Sequence, residues 1–232
     1  MKPESWVESL NCAIEGILWA VKSERHLRYH FVAALAVLLL ALFFRVTALE
    51  FLLLVLAAML VIFAELMNTA VEALVDLVTS DYHELAKRAK DVAAGAVLVT
   101  SVGAATLGYL VLSGHIFPLF DSTPTLAREP HGTLPIGALL MVVILVVLLK
   151  ARYNRGTPLH GGMPSGHAAL AFSIATSVVL SGSGLLVSLL VLILALLVSQ
   201  SRLLMKIHSP KEVLFGALLG ACTTLLIFLL FG

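Results

Sequence analysis

Long stretches without a charged residue limit what this chain can fold into more than any other feature of its sequence. Residues 92–112 carry no charge over 21 positions, and residues 168–201 carry none either, although a Ser-Gly-Ser-Gly sequence at 181–184 interrupts the apolar run. About 20 apolar residues in a helix suffice to cross a bilayer. The chain has 232 residues, of which 60% are hydrophobic, and a mean hydropathy of +1.03. A soluble domain of this length could not bury that much apolar surface, so the sequence predicts an all-α polytopic membrane protein.

About seven transmembrane helices are predicted, preceded by an amphipathic surface helix over residues 1–28. After a tight turn at residues 45–50, the second span is expected to continue past the membrane edge to about Val78. The spans are predicted at residues 30–44, 51–64, 92–112 and 134–149, twice within 168–201, and at 213–232.

A proline-containing segment without periodicity divides the chain and predicts its domain organisation. The expected parts are a domain of residues 1–113 with three spans, a linker of residues 114–133, and a domain of residues 134–232 with four spans.

Polar side chains recur along one predicted helix in the first half. Glu65, Asn68, Glu72 and Asp76 follow one another at steps of three, four and four, which places them in one arc of a helix. Oxygen ligands of this kind suit Mg²⁺, and Mg²⁺ in turn suggests a nucleotide phosphate. A solvated helix face emerging from the membrane would give the same periodicity, so the pattern alone leaves both interpretations open.

Residues 11–24, 65–77 and 83–98 resemble the prokaryotic diacylglycerol kinase and undecaprenol kinase family. The resemblance implies an ATP-dependent lipid kinase in the first half. Because the sequence contains no Walker-type phosphate loop, the expectation of nucleotide binding rests on this resemblance alone. The resemblance also implies a homotrimer, since this family builds its site between protomers.

The same resemblance assigns roles to individual residues. It implies that Glu65 is the base acting on a lipid hydroxyl and that Glu24 and Glu72 share Mg²⁺. The Glu15-Gly16 pair and His30 favour undecaprenol over diacylglycerol as substrate, whereas His26 stands where the family usually has asparagine. The nucleotide or kinase-site residues implied are Glu15, Asn68, Asp76, Lys90 and Asp91.

Two polar segments of the second half, residues 150–167 and 201–212, bracket a predicted helical hairpin and should therefore meet at one membrane face. Basic side chains with glycine amides are what a phosphate group needs, and two histidines beside them provide a nucleophile and a general acid. Basic loops on the cytoplasmic side would explain the arginines and lysines but leave His167 and His208 unexplained.

The Pro-Ser-Gly-His sequence at 164–167, together with Ser201, Arg202 and His208, resembles two signatures of the type-2 phosphatidic acid phosphatase superfamily. The resemblance implies a metal-independent phosphatase in which His208 forms a phosphohistidine and His167 protonates the leaving oxygen. The phosphate-binding residues implied are Lys150, Arg155, Ser165, Gly166 and Arg202, with Arg152 as an alternative within the first signature, which departs from the superfamily pattern.

The residue that orients the nucleophilic histidine in that superfamily is usually aspartate. Here Glu212 stands four places after His208, on the same helical face, and is expected to take that role with a longer reach.

A bifunctional membrane lipid enzyme is the function that these patterns predict, with a kinase of the undecaprenol type joined to a lipid phosphate or diphosphate phosphatase. The alternatives are a diacylglycerol kinase joined to a phosphatidate phosphatase, or one catalytically dead half acting as a scaffold. A transporter is disfavoured because the polar residues gather at membrane faces. The net charge of +1, without a basic face, disfavours nucleic acid as a partner.

The basic residues predict a topology in the bacterial cytoplasmic membrane. When the N-terminus is placed inside and the spans alternate, only Arg45 and Arg128 of the 15 basic residues fall outside. Both active sites then face the cytoplasm. A kinase using polyprenol and a phosphatase using polyprenyl diphosphate would both yield polyprenyl monophosphate there.

Overall fold

A computed structural model of the chain describes residues 5–117, 133–153 and 162–232. The helices found in these ranges are α1 (Trp6–Ser23), α2 (Arg25–Phe43), α3 (Ala48–Val78), α4 (Glu84–Ile116), α5 (Thr133–Tyr153), α6 (Gly166–Leu180), α7 (Leu185–Leu204) and α8 (Pro210–Phe231). Backbone contacts divide the chain into two compact units, Met1–His131 and Gly132–Gly232. Helix α4 continues into the predicted linker, most of which lies outside the described residues, and the domain assignment stays a prediction.

Six of the described helices, α2 to α5, α7 and α8, are long and apolar enough to cross a membrane. Helix α6 is apolar but has 15 residues. Helix α1 exposes Trp6, Leu10 and other apolar side chains, with Glu8 and Glu15 among its polar residues, as expected of a helix lying on a membrane surface. The predicted all-α polytopic fold with an N-terminal amphipathic helix is confirmed.

The N-terminal helix is shorter than predicted, because the chain breaks at Glu24. This residue adopts an extended conformation between α1 and α2, with φ −99° and ψ 120°. The guanidinium of Arg28 donates to the carbonyls of Val21 and Lys22 at 3.1 and 3.0 Å. The last carbonyls of α1 are therefore satisfied by a side chain of the next helix rather than by another helical turn.

Helix α3 begins earlier than predicted, within the segment expected to be a turn. The Thr47 hydroxyl accepts from the Glu50 amide, and the Glu50 carboxylate accepts from the Thr47 amide at 2.8 Å. This capping box satisfies donors at the helix start and so allows α3 to begin at Ala48.

In the first unit, α3 contacts both α2 and α4, and α1 contacts α2 and α3. Ala41, Leu54 and Val111 form a buried cluster that joins the three long helices. The polar residues lie at the end of α3 and in the first turns of α4, next to the α3–α4 connection. This is the opposite end of these two helices from the buried cluster.

In the second unit, α6 and α8 approach each other closely enough to bring their backbones into contact. A Cβ added at Gly216 would lie 2.3 Å from the Ser165 carbonyl oxygen, and one at Gly220 would lie 2.0 Å from that of Ala169. Small residues spaced by four allow such an approach between membrane helices. The contact fixes the start of α6, where the polar residues of this unit gather.

We predict that Gly220→Ala destabilises the second unit, because the added methyl group meets backbone atoms that cannot rotate away. The expected loss is roughly 1–3 kcal/mol, measured as the free energy of unfolding in detergent. Gly137→Ala on α5 is the matched control, since a Cβ there meets nothing within 4 Å. It should be neutral or stabilising by up to about 1 kcal/mol, the ordinary gain in helix propensity. Equal stability of Gly220→Ala and Gly137→Ala would contradict the close approach.

Candidate active sites

The polar arc of α3 begins at Glu65, whose side chain is almost completely buried, with an exposed fraction of 5%. A carboxylate in such surroundings needs a partner, because burial without one removes its hydration at high cost. The partner is His30 on α2, whose Nε2 lies 3.1 Å from Oε1 of Glu65. The Thr69 hydroxyl donates to the main-chain carbonyl of Glu65 at 3.0 Å, and not to its carboxylate.

One turn further along α3, Asn68 and Glu72 form a second polar pair. The Asn68 amide nitrogen donates to Oε1 of Glu72 at 2.8 Å. The amide oxygen of Asn68 is buried and has no hydrogen-bond partner in the described part of the chain. An unpartnered amide oxygen beside a half-buried carboxylate fits a hard cation, which prefers oxygen ligands.

The donor set limits which metal could bind. Within the described residues, no group of three or more His, Cys, Asp or Glu side chains is arranged to hold a metal. Mg²⁺ commonly takes one or two carboxylates from the protein and completes its shell with water and substrate phosphate. The residues present therefore fit Mg²⁺ delivered with a nucleotide better than a metal caged by the protein alone.

Predicted site residues also flank the connection from α3 to α4. Lys90 on α4 donates to the Asp76 carboxylate near the end of α3 at 2.5 Å, and Asp91 is paired with Lys87 one turn away. These contacts tie the two helix ends together and gather charged side chains at the polar end of the unit. Exposed ion pairs of this kind contribute little stability, so their stronger effect is on position.

The two acidic residues predicted near the N-terminus lie on and after α1. Glu15 is exposed and accepts a hydrogen bond from Asn11 at 2.9 Å. Glu24 is half-buried at the junction of α1 and α2. Helix α1 touches α3, which places this junction in the same unit as the polar arc.

A groove of about 530 Å³ runs between α2, α3 and α4. His30 lines one end and Phe117 the other, and most of the lining is apolar. Small side chains are frequent in that lining: Ala33, Ala34, Ala57, Ala58, Ala104, Ala105 and Gly108. A mostly apolar groove that ends at a polar side chain suits a long apolar molecule with a polar head.

In the second unit, a buried serine stands at the start of α6. The Ser165 hydroxyl has no hydrogen-bond partner among the described residues and does not cap the helix. The Ser165 amide donates to the Glu212 carbonyl at 3.0 Å. Gly166 is the first residue of α6, where helix amides and the helix dipole favour an anion. A buried donor without a partner next to this helix start fits a phosphate oxygen.

His208 lies in the connection between α7 and α8, and its orientation is set by Glu212. Nδ1 of His208 lies 2.9 Å from Oε2 of Glu212. The same carboxylate oxygen accepts from the Ser209 amide at 3.1 Å, as part of the capping box that begins α8. One oxygen therefore caps a helix and holds the imidazole, leaving Nε2 of His208 for another partner.

The remaining predicted phosphatase residues surround these two groups. The His208 amide lies 3.4 Å from the Arg202 carbonyl, in a turn that brings both residues to one place. His167 follows Gly166 in the first turn of α6, and Lys150 lies in the last turn of α5, which packs against α6. Arg202 Nε also donates to the Ser201 hydroxyl at 3.2 Å. The structure thus gathers the predicted set at one end of the unit, except for Arg155, which lies outside the described residues.

Three residues that shape these sites are not predicted as site residues from the sequence. His30 bears only on the substrate preference there, because nothing in its spacing indicates a partner 35 positions away. The other two are Gly216 and Gly220, which allow α8 to approach Ser165 and Ala169. Their spacing of four residues is the pattern that indicates close packing between membrane helices.

The described chain is therefore a polytopic membrane protein with one cluster of polar side chains in each of its two units. Residues 11–112 match the family described as prokaryotic diacylglycerol kinase, and residues 145–232 match the PAP2 superfamily. No solved structure matches the chain significantly.

Three relatives of the first half illustrate the match. The diacylglycerol kinase of Synechocystis sp. is 41% identical over 105 residues, covering 45% of this chain and 60% of the relative. The undecaprenol kinase of Bacillus subtilis is 40% identical over 96 residues, covering 41% of this chain and 78% of the relative. The diacylglycerol kinase of Escherichia coli is 37% identical over 101 residues, covering 44% and 83%. The match to the Synechocystis relative thus spans less than two thirds of its length.

The chain belongs to the prokaryotic diacylglycerol kinase family and carries a PAP2-superfamily domain in its second half. These memberships confirm the predicted combination and support lipid kinase and phosphoric ester hydrolase activity. The kinase family implies ATP-dependent phosphotransfer. The apolar helices and the relatives indicate an integral protein of the bacterial inner membrane.

We predict that Ser165→Ala slows phosphatase turnover without destabilising the protein. The change removes a buried hydroxyl that lacks a partner among the described residues, so the free energy of unfolding should stay the same or rise. Loss of one hydrogen bond to a charged phosphate should lower the rate roughly 10- to 100-fold.

Ser173→Ala is the matched control, since Ser173 is equally buried but shares a 2.8 Å hydrogen bond with Thr224. It should destabilise by about 1–3 kcal/mol, because Thr224 loses its partner. Thermal unfolding and phosphate release are measured on both variants. A strong loss of stability in Ser165→Ala would show that its hydroxyl has a structural role.

Proposed function

We propose that this chain is a bifunctional enzyme that phosphorylates a lipid alcohol with ATP in its first unit and dephosphorylates a lipid phosphate in its second. One observation carries the proposal: in each unit the candidate reactive group is buried and held by a partner. Glu65 is held by His30, and His208 is held by Glu212. A catalytically dead scaffold would have no need to keep buried polar groups in such pairs.

In the kinase unit, Glu65 accepts the proton of the lipid hydroxyl as that oxygen attacks the terminal phosphorus of ATP, and the bond from that phosphorus to the ADP oxygen breaks, releasing ADP. Glu24 and Glu72 would hold Mg²⁺, which would supply neutralisation of phosphate charge. The Asn68 amide oxygen, buried without a partner in the described part of the chain, supports a cation beside Glu72. The nucleotide is positioned by Glu15, Asn68, Asp76, Lys90 and Asp91.

Undecaprenol, or a polyprenol like it, is the proposed kinase substrate. The relative from Bacillus subtilis is named undecaprenol kinase. Seven of the 17 residues lining the groove are alanine or glycine, which leaves width for a methyl-branched chain. Diacylglycerol is the alternative, because other relatives are named diacylglycerol kinase. The rates on the two alcohols decide between them.

In the phosphatase unit, Nε2 of His208 attacks phosphorus while His167 gives its proton to the leaving lipid or phosphate oxygen. The N–P bond forms as the P–O bond breaks, and water then hydrolyses the phosphohistidine. Arg202, Ser165 and Gly166 hold the phosphate oxygens, supported by Lys150 and Arg155. Glu212 fixes the imidazole and stabilises its positive charge, and no metal is required.

The two reactions are proposed to take different substrates and give one product. A kinase and a phosphatase acting on the same lipid at the same membrane face would only consume ATP. If the kinase takes polyprenol and the phosphatase takes polyprenyl diphosphate, both yield polyprenyl monophosphate. The proposed topology places both sites at the cytoplasmic face, where ATP is available.

The two activities should be separable by single substitutions. Glu65→Gln keeps the size of the proposed base and should slow lipid phosphorylation by roughly 10²- to 10⁴-fold. Phosphate release should stay at the wild-type rate. His208→Ala should do the reverse.

Labelled ATP with polyprenol follows the first activity, and phosphate release from polyprenyl diphosphate follows the second. Glu84→Gln on the exposed side of α4 is the control carboxylate, and it should leave both rates unchanged. Near-normal phosphorylation by Glu65→Gln would remove the proposed base.

We further expect a homotrimer formed through the kinase unit. Asp76, at the end of the polar arc of α3, is 66% exposed in a single chain, and a site shared between protomers would cover it. Mass measurement of the detergent-solubilised protein, with its bound detergent subtracted, should give three times the chain mass of 24.7 kDa. An active kinase that is strictly monomeric would contradict this prediction.

Thiol labelling tests the proposed topology. In a chain with Cys12 and Cys222 replaced, Thr125→Cys and Ser183→Cys should react with a membrane-impermeant thiol reagent on intact cells. Thr157→Cys should be protected until the cells are opened. Labelling of Thr157→Cys from outside would place the phosphatase site on the other face and exclude a shared product pool.

A further inference from the structure

The contact between His30 and Glu65 joins two helices at the polar end of the apolar groove. We propose that His30 is the positioning residue for Glu65: it fixes one carboxylate oxygen so that the other faces the lipid hydroxyl. This inference rests on the proposed kinase function. It assigns a role to a residue on α2 that the polar arc of α3 does not include.

The first argument is the burial of Glu65. Its side chain is 5% exposed, and within the described part of the chain His30 is the side chain found within ion-pair distance of it. A glutamate has three rotatable side-chain bonds, and a base has to be held at hydrogen-bonding distance from the proton it removes. Because the Thr69 hydroxyl bonds the main chain of Glu65 rather than its carboxylate, orientation of the carboxylate falls to His30.

The second argument is the number of carboxylate oxygens. The Nε2 atom of His30 lies 3.1 Å from Oε1 of Glu65. Oε2 remains available to a second partner, because one carboxylate oxygen can accept a proton while the other accepts a hydrogen bond. His30 therefore directs the reactive oxygen without occupying it.

The third argument is the location of His30 between the carboxylate and the groove. The His30 side chain is 29% exposed and lines the groove, together with Ala33, Ala34 and Val37 of the same helix. Glu65 does not line the groove itself. A lipid alcohol whose chain occupies the groove would bring its head to His30, and the hydroxyl would meet Glu65 next to it.

The test measures kcat and KM for lipid and for ATP on the purified full-length chain with polyprenol in mixed micelles. His30→Ala should lower kcat roughly 10- to 100-fold, the size of effect expected when a reacting group is misplaced by about 1 Å. KM for ATP should not change. His30→Gln should recover most of kcat, because its amide can replace the Nε2 contact. His115→Ala alters a histidine near the end of α4, whose ring bonds the Val111 carbonyl and lies near Phe44, and it should match the wild type.

A double-mutant comparison separates positioning from a general structural effect. If His30 acts through Glu65, then His30→Ala combined with Glu65→Gln should be no slower than Glu65→Gln alone. Additive losses, wild-type kcat in His30→Ala, or failure of His30→Gln to recover kcat would each overturn the positioning role. A wild-type chain that phosphorylates no lipid alcohol would instead overturn the proposed kinase function, and the positioning role with it.

Discussion

Polar groups held among apolar helices impose the constraint on which both units depend. A charged or hydrogen-bonding side chain surrounded by hydrocarbon loses its hydration, and only a fixed partner makes up for that loss. In this chain the partners are themselves parts of the candidate sites. His30 satisfies Glu65, Glu212 satisfies His208, and Asn68 satisfies Glu72. The contact that compensates for the lost hydration of a buried group therefore also fixes the orientation of that reactive group.

Some buried polar groups in the described residues lack a hydrogen-bond partner, and two of them belong to the candidate sites. The Ser165 hydroxyl and the Asn68 amide oxygen each stand beside a group expected to bind substrate or metal. The hydroxyls of Ser101, Ser177 and Ser199 are buried in the same way but do not belong to candidate site residues, so an unpaired hydroxyl alone does not mark a ligand. What distinguishes Ser165 is its place at the start of α6, next to the amide of Gly166.

The sequence was sufficient wherever a periodic pattern determines the structure. The arc from Glu65 to Asp76 follows from helical spacing alone. The predicted contact between His208 and Glu212 is found, but not on a shared helical face: His208 lies before α8, and the Glu212 carboxylate reaches it from the first turn of that helix. The sequence was insufficient wherever two distant segments meet. The pairing of His30 with Glu65 depends on how α2 and α3 pack, which neither segment encodes by itself. The early start of α3 followed a local rule, the Thr47–Glu50 capping box, that the turn prediction overlooked.

The length of α6 has a consequence for how a substrate reaches the phosphatase residues. Fifteen residues make a helix about 22 Å long, whereas the hydrocarbon core of a bilayer is about 30 Å thick. In a bilayer of that thickness the two ends of α6 cannot both reach the headgroup level, so either the bilayer thins around this unit or one end of α6 lies below the surface. When the submerged end is the start of α6, the phosphate has to leave bulk water before it meets Arg202 and His208. A lipid tail supplies the free energy for that descent, whereas a small water-soluble ester has no tail to do so. Depth in the membrane would then select lipid substrates without any specific contact to the tail.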